Sequence, residues 1–514
     1  MLWFRASFYL AFGRIVLYFC GKVFRANMEE YGGQKISRQI DWFTVALYVL
    51  LVLLGWLNIY AAVYDIDNPR PIFEFELNSG RQFIFILVSF TLAWFVIVSD
   101  VRLITNFAYI SYGLGILLLC AVLVFGSDVA GSRSWFKIGS FKFQPAEYAK
   151  YVTALAMARF LAYPNMRMDQ ISNVLLTSLF IAAPVLLILL QGDTGSAMVF
   201  VGLSLMFYRE GMSGKIMLAG VSCTVLLIVT VVMNDQKAEL LNMVLNIGAV
   251  AMLLSLLYGV RYMRGDLQRG WLQISLELIT ALGLGSIAYL LDSTWQFYSL
   301  AGASVVALIL YIIYKKKVQL PVVTFAIVAC TIFSINSLHY FINSVLRDYQ
   351  RERLLVLVNP SIDPSGIGWQ VKQSKIAIGA GGVFGRGYLE GTQTKFKFVP
   401  DQSTDFIFCT IGEEHGWIGS LLLVLAYVAL LCRLVVLAER QKARLARVYG
   451  YCVVGIFFFH FMVNLGMTIG LLPVIGIPLP FFSYGGSALA SFTLLLFTMI
   501  KFDIHRQQEA LLND

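Results

Sequence analysis

The chain has 514 residues, of which 59% are hydrophobic and 13% charged, with a mean hydropathy of +0.75. Soluble domains carry roughly twice that charged fraction, so the composition excludes a soluble globular protein and points to stacked apolar spans forming one membrane domain. The net charge of +9 lies mostly in short loops, as the positive-inside rule requires, which excludes a nucleic-acid reading. The seven cysteines all fall in apolar runs without a CxxC pair, and the four histidines are scattered without HExxH. Neither a disulfide framework nor a zinc site is indicated.

Residues 1–27 stand apart. Phe8 to Phe24 is apolar but interrupted by Arg14 and Lys22, is short for a span, and lacks a small-residue cleavage site. Two readings stand: an upstream in-frame extension with Met28 as the real start, or an amphipathic helix lying on the membrane. Apolar windows of about 20 residues then place spans near 42–63, 82–98, 105–125, 145–162, 173–191, 195–209 and 214–233. Further spans fall near 240–260, 272–291, 297–314, 320–343, 406–432, 447–471 and 484–503. The fold class is therefore an all-α polytopic membrane protein of about 14 transmembrane helices.

Charge orients it. With a cytoplasmic N-terminus, the cytoplasmic loops hold Arg102, Arg167, Arg209 with Lys215, Arg261 to Arg269, Lys315 to Lys317 and Arg440 to Arg447, and the C-terminal tail is basic too. Two outer loops break the rule. The loop at 126–144 carries Arg133, Lys137 and Lys142, and the loop at 344–405 carries eight cations. Long loops translocate regardless of charge, so the short one is the better signal. Cations held at an outer surface suit an anionic ligand such as a lipid pyrophosphate.

Chemistry-bearing residues follow in order. Pro145 opens a span in which Glu147 and Lys150, three apart, share one helix face. They read either as a structural ion pair or as a pair in which Lys150 points into a polar cavity admitting a headgroup. Asp193, in Gln191-Gly-Asp-Thr-Gly195, reads as a cap for the next helix, with contact to the large loop as the alternative. The polar stretch from Gln373 to Glu414 is the centre of the chain. Its GAGGVFGRG lacks the Gly-Lys-Ser/Thr of a phosphate loop, so its glycines read as tight backbone turns, near a bulky ligand or in an ordinary loop. Asp405 opens onto an apolar run, as an N-cap or as a general base at the membrane–water boundary. Glu413 and Glu414 enter the same span, to line a cavity or to bind a basic neighbour. Pro473, Pro478 and Pro480 with Gly476 break the helix before the last span, a packing role more than a chemical one.

Together these motifs resemble the SEDS family (shape, elongation, division and sporulation), most closely its RodA branch. Arg133, Trp135 and Gln144-Pro145-x-Glu147-x-x-Lys150 look like the family's R-W…F-Q-P-[SA]-E-x-x-K. Gln191-x-Asp193-x-Gly195, Asp363-Pro364 with Gly366, and Gln373-Ser374-x-Ile376-Ala377-Ile378-Gly379 continue the likeness. So do Gly385-x-Gly387, Glu390-Gly391-Thr392-Gln393, Thr404-Asp405-Phe406, Gly476-x-Pro478-Leu479-Pro480 and Ser483-Tyr484-Gly485-Gly486-Ser487. The resemblance covers about residues 40 to 505. It departs at Ser403, Gly192 and Trp369, where the family has His, Pro and Tyr.

The resemblance implies a peptidoglycan glycosyltransferase that polymerises lipid II for cell elongation and rod-shape maintenance, with Asp405 as the essential aspartate. It implies substrate contacts at Arg133, Trp135, Gln144, Glu147, Lys150, Gln373, Ser374, Lys375, Arg386, Thr404 and Ser483. A divalent cation, Mg or Mn, is compatible with a pyrophosphate leaving group, although the sequence requires none. The implied partners are lipid II, a class B penicillin-binding protein and other elongation-complex membrane proteins, with no nucleic acid. The expected layout is a cytoplasmic segment 1–41, a membrane domain 42–505 and a cytoplasmic tail 506–514. The family core of ten spans gains about four within 214–343, inserted near 234–319, and the extracytoplasmic catalytic loop is 344–405. The implied location is the bacterial inner membrane. A lipid II flippase or transporter, and a non-catalytic scaffold for a transpeptidase, are the rival classes.

Overall fold

The computed structural model describes residues 39–212, apart from 66, 67, 130, 140, 165, 167 and 169, and residues 366–513, apart from 397, together with 340, 344, 351, 353 and 356. The expectations for residues 1–38, the inserted helices and most of 344–365 lie outside the described residues. By compactness the chain falls into two units, Met1–Met217 with Pro360–Asp514, and Leu218–Asn359. The secondary-structure elements named below all belong to the first.

Long apolar runs without interior charge make helices that satisfy their own backbone, as hydrocarbon demands. Four helices lead: α1 (Trp42–Val63), α2 (Asn78–Val98), the short α3 (Val101–Asn106) and α4 (Ala108–Phe125). The span predicted at 105–125 thus splits at Phe107, and Asp100 caps α3 by accepting from the Arg102 amide at 2.9 Å. α5 (Pro145–Leu161), with proline in its first turn, is buried on nearly every side. α6 (Ile171–Leu190) follows. Among the described residues, seven helices are long and apolar enough to cross a membrane.

Two expectations need correction. The first is the all-α reading. Residues 127–143 form a three-stranded antiparallel sheet of β1 (Ser127–Val129), β2 (Ser132–Ile138) and β3 (Phe141–Phe143), in the order β1-β2-β3. Gly131 and Gly139 supply the positive φ (+79° and +61°) that tight hairpin turns need. The second is the straight span at 195–209. It breaks into α7 (Thr194–Val199), a 3₁₀ turn (Phe200–Leu203) and α8 (Ser204–Arg209). There Gly202 meets Gly455 backbone to backbone: a Cβ on Gly202 would lie 2.4 Å from the Gly455 carbonyl oxygen. Only paired small residues permit so close a crossing.

The described part of the large loop holds α9 (Ile367–Ala380) and the one-turn α10 (Thr392–Lys395). α11 (Ile407–Glu439) has 33 residues and kinks at Gly416, whose φ of 65° and ψ of −157° are not helical. It outruns the predicted end at 432 because Arg433 is not idle: its Nε lies 3.1 Å from Asp41 Oδ2. α12 (Arg444–Thr468) and α13 (Gly486–Asn513) complete the unit. α13 runs through the residues expected as a separate tail. It packs on α2 and α5, α11 packs on α12, and the aromatic rings of Tyr48, Phe481 and Phe497 meet edge-on in the core.

One end of the bundle is laced by ion pairs. Arg440 Nε lies 2.6 Å from Asp503 Oδ1, Arg209 Nε 2.6 Å from Glu439, and Glu210 takes both Arg444 and Arg447 at 2.8 and 3.1 Å.

Candidate functional site around Asp405

The glycine-rich stretch folds as backbone against backbone. Residues 381–391 lie on the first turns of α11, and glycine is required at each close approach. A Cβ on Gly381 would sit 1.9 Å from the Gly412 carbonyl oxygen, and one on Gly385 2.1 Å from that of Glu414. The Arg386 and Gly387 amides donate to the carbonyls of Glu413 and Glu414, both at 3.0 Å. The Glu413 carboxylate accepts from the Gln393 and Thr394 amides at 2.8 and 2.9 Å, so it caps α10. Glu414 accepts from the Leu389 amide at 3.1 Å. The two glutamates therefore bind backbone amides, and the glycines serve their packing.

This platform ends at Asp405. α11 begins at Ile407 with Phe406 at the cap position, one residue past the aspartate. Asp405 is half-buried, and its main chain is held from several sides. Asn464 of α12 donates to the Asp405 carbonyl at 3.0 Å and to the Ile477 carbonyl at 2.7 Å. The Ser483 hydroxyl donates to the Thr404 carbonyl at 2.6 Å, and the Tyr484 amide to that of Ser403 at 2.8 Å. Asn58 of α1 donates to Ile407 at 3.1 Å, and Asn78 to the Ser403 hydroxyl at 3.0 Å. Gly476, at φ +78°, faces the carboxylate: a Cβ there would lie 3.3 Å from Asp405 Oδ2.

The same proline-rich segment ties in earlier motifs. A Cβ on Gly195 would stand 2.5 Å from the Ile475 carbonyl oxygen. Asp193 caps α7 by accepting from the Ser196 amide at 3.0 Å, as the sequence suggests, and also takes Gln144 Nε2 at 2.6 Å. Gly192 turns with φ +81°, which proline cannot adopt. Behind the segment, Lys150 donates to Glu147 Oε1 at 2.8 Å and to His460 Nε2 at 2.9 Å. His460 Nδ1 lies 3.0 Å from the Pro478 carbonyl. A carbonyl only accepts, so Nδ1 carries the proton and Nε2 is free to accept from Lys150. The Lys150 ammonium is only 1% exposed and is committed to these partners.

The remaining predicted residues are more dispersed. Ser374 is buried and donates to the Thr468 carbonyl at 2.9 Å, with Gln373 buried beside it. Lys375 lies over Gly470, while Arg386 donates to the Thr392 hydroxyl at 2.6 Å. Thr404 donates to the Asp401 carbonyl at 3.1 Å. Arg133 is exposed on β2, with Nε 3.0 Å from Asp128, and its amide donates to Gln191. Trp135, half-buried on the same strand, pairs with Ser127. Sequence reasoning missed His460, Asn464, Asn58 and Asn78. The first two stand four apart in an otherwise apolar span, and that polar pair on one face is the signal that could have found them.

The profile of the FtsW/RodA/SpoVE family, described as cell cycle protein, matches residues 39–256 and 267–509. The chain belongs to the FtsW/RodA/SpoVE family. Two relatives named for the RodA branch match over most of their length at 28% identity or more. The chain is 32% identical over 394 residues to the peptidoglycan glycosyltransferase RodA of Treponema pallidum (strain Nichols), covering 76% of this chain and 81% of that one. It is 28% identical over 447 residues to the peptidoglycan glycosyltransferase MrdB of Escherichia coli (strain K12), covering 86% and 88%. Among solved structures, a chain of a peptidoglycan synthase complex that coordinates polymerization and crosslinking shares the fold. Its TM-score is 0.56 at 24% identity, covering 91% of this chain and 98% of that one. This FtsW/RodA/SpoVE member is thus a multi-pass helical membrane protein, and Asp405 with its clamp is its candidate catalytic site.

Proposed function

We propose that this protein is a peptidoglycan glycosyltransferase that polymerises lipid II into glycan strands for cell elongation, with Asp405 as general base. The observation that carries the reading is the clamp on Asp405, whose backbone is held by Asn464 and whose neighbours are held by Ser483 and Asn58. A base acts only if it is placed to within hydrogen-bond reach of its proton. In this mechanism Asp405 takes the proton of the 4-hydroxyl of an acceptor N-acetylglucosamine. That oxygen attacks C1 of the donor N-acetylmuramic acid in line, with inversion, and undecaprenyl pyrophosphate leaves. No covalent intermediate forms.

Exposed cations meet the leaving charge: Arg133, Lys375 and Arg386. Lys150, being buried, acts through His460 on the segment that faces Asp405. Gln144 and Glu147 brace that segment, while Gln373, Ser374, Thr404, Ser483 and Trp135 shape the site. Among the described residues no group of three or more His, Cys, Asp or Glu comes together to hold a metal ion, so no step is routed through Mg or Mn.

The same reading takes the fold to about fourteen spans, ten of the family core and about four more in 214–343. Both termini are cytoplasmic and the loop 344–405 is periplasmic, in the bacterial inner membrane. The basic residues at 102, 440–447 and 501–506 support this orientation. A class B penicillin-binding protein is the proposed partner, alongside other membrane proteins of the elongation complex. The fold shared with a chain of a peptidoglycan synthase complex supports it.

The test is lipid II polymerisation by purified protein, with and without the partner, wild type beside Asp405→Ala. Glycan ladders from wild type alone are expected. Ladders from both would move the base elsewhere. Ladders from neither, even with the partner, would favour a flippase or a scaffold, which headgroup translocation in vesicles separates.

A further inference from the structure

At the end of the bundle remote from Asp405 lies a cavity of about 200 Å³. It is walled by α3, the turn between α11 and α12, and α13. Val101, Leu445 and Phe502 give it an apolar floor, and Lys442 and Arg506 give it a cationic rim, with His505 beside them.

Among the described residues, the acids around it are already engaged. Asp503 is held by Arg440 at 2.6 Å and by Gln441 and Gln507 at 2.9 Å, with Arg506 at 3.3 Å. Glu210 binds Arg444 and Arg447, Glu439 binds Arg209, and Asp100 caps α3. Lys442 is exposed and has no ion pair among the described residues. The cavity therefore keeps a positive rim above an apolar floor. The start of α12 adds to this, because Ala443 offers no side-chain cap and the first-turn amides at its mouth have no carbonyl four residues back.

The geometry points to a binding site for an acidic phospholipid of the adjoining leaflet. Its phosphate sits between Lys442 and Arg506, and its glycerol and first acyl carbons lie on Val101, Leu445 and Phe502. A soluble anion would use the rim and leave the floor bare, whereas an amphiphile uses both. The assignment rests on the proposed orientation only in making that leaflet the cytoplasmic one.

The test uses full-length protein in phosphatidylcholine nanodiscs with and without phosphatidylglycerol, with retained lipid counted by native mass spectrometry. Each cation beside an anionic headgroup contributes about five-fold in affinity. Wild type should retain phosphatidylglycerol in preference to phosphatidylcholine, and Lys442→Gln/Arg506→Gln should weaken retention by about twenty-five-fold. Because Arg506 also pairs with Asp503, Lys442→Glu serves as the variant that disturbs no ion pair, and it should lose retention as well. Equal retention by wild type and Lys442→Glu overturns the site, as does equal retention of the two lipids. Displacement of phosphatidylglycerol by inorganic phosphate at comparable affinity would reassign it to a soluble anion. Retention is read without glycosyl transfer, so failure of the polymerase reading leaves this result standing.

Discussion

Asn464 donates to two main-chain carbonyls at once, those of Asp405 and Ile477. Replacing it with alanine leaves the buried Ile477 carbonyl without its donor, at a cost of about 1–3 kcal/mol, and the half-buried Asp405 carbonyl without its own. Asn464→Ala is expected to lower the thermal midpoint and to cut the polymerisation rate on the order of 100-fold, the scale of a one-ångström misplacement. An unchanged rate in a folded variant would remove the clamp from the mechanism. Lys150 makes a second case. Lys150→Met alone strands the Glu147 carboxylate in a dry interior, costing about 3–5 kcal/mol. Adding Glu147→Gln should restore much of that stability, measured as a double-mutant cycle. The Asp193 cap was legible in the sequence because its partner is three residues away. The Lys150–His460 bond was not, because its partners are 310 residues apart and the His460/Asn464 pair marks a polar helix face without naming what it meets.

Elements meet through glycines wherever main chains must touch. Gly416 kinks α11 so that the amides of Trp417 and Ile418 donate to the carbonyls of Gly382 and Val383 at 2.9 and 3.1 Å. A Cβ there would stand 2.3 Å from the Gly385 amide nitrogen, in a backbone region closed to other residues. Gly416→Ala should fail to fold or lose all activity. Gly113→Ala, in open space on α4, should be neutral or slightly stabilising, and expression with a melting curve checks both. α1 has a different anchor. Burial pushes the Asp41 carboxyl up, but hydrogen bonds from Arg433 and Thr44 outweigh it and hold it below the usual carboxylate range. The stabilisation is present above the unfolded value and is lost as pH falls through the folded one. The gap in thermal midpoint between wild type and Asp41→Asn should therefore be open at neutral pH and close below about pH 4. The window for α1, 42–63, matches its helix end to end because hydropathy alone decides it. The sheet at 127–143 was not legible as a fold element, since three short strands carry no apolar run and their pairing rests on two glycine turns.

Across the described residues, polar function and basic anchoring sit at opposite ends of α11, whose 33 residues trace a path of roughly 50 Å at 1.5 Å per residue, bent at Gly416. Cysteines placed at Thr404 and Lys442 should react with an impermeant reagent from opposite faces of sealed vesicles. Labelling of both from one face would refute the spanning path. Family membership was legible because its motifs are local strings. Their convergence was not, since Gly195, Ile475, Gly476 and Asp405 come together only through packing. The clamp on Asp405 also carries a genetic consequence. It holds main-chain carbonyls, which every residue possesses, so Asp405→Ala should keep the shape of the native protein while losing its chemistry. A cell carrying both alleles would then seat inert copies in the same assemblies as working ones. The lesion should behave as dominant, and it should worsen with the dose of the altered gene.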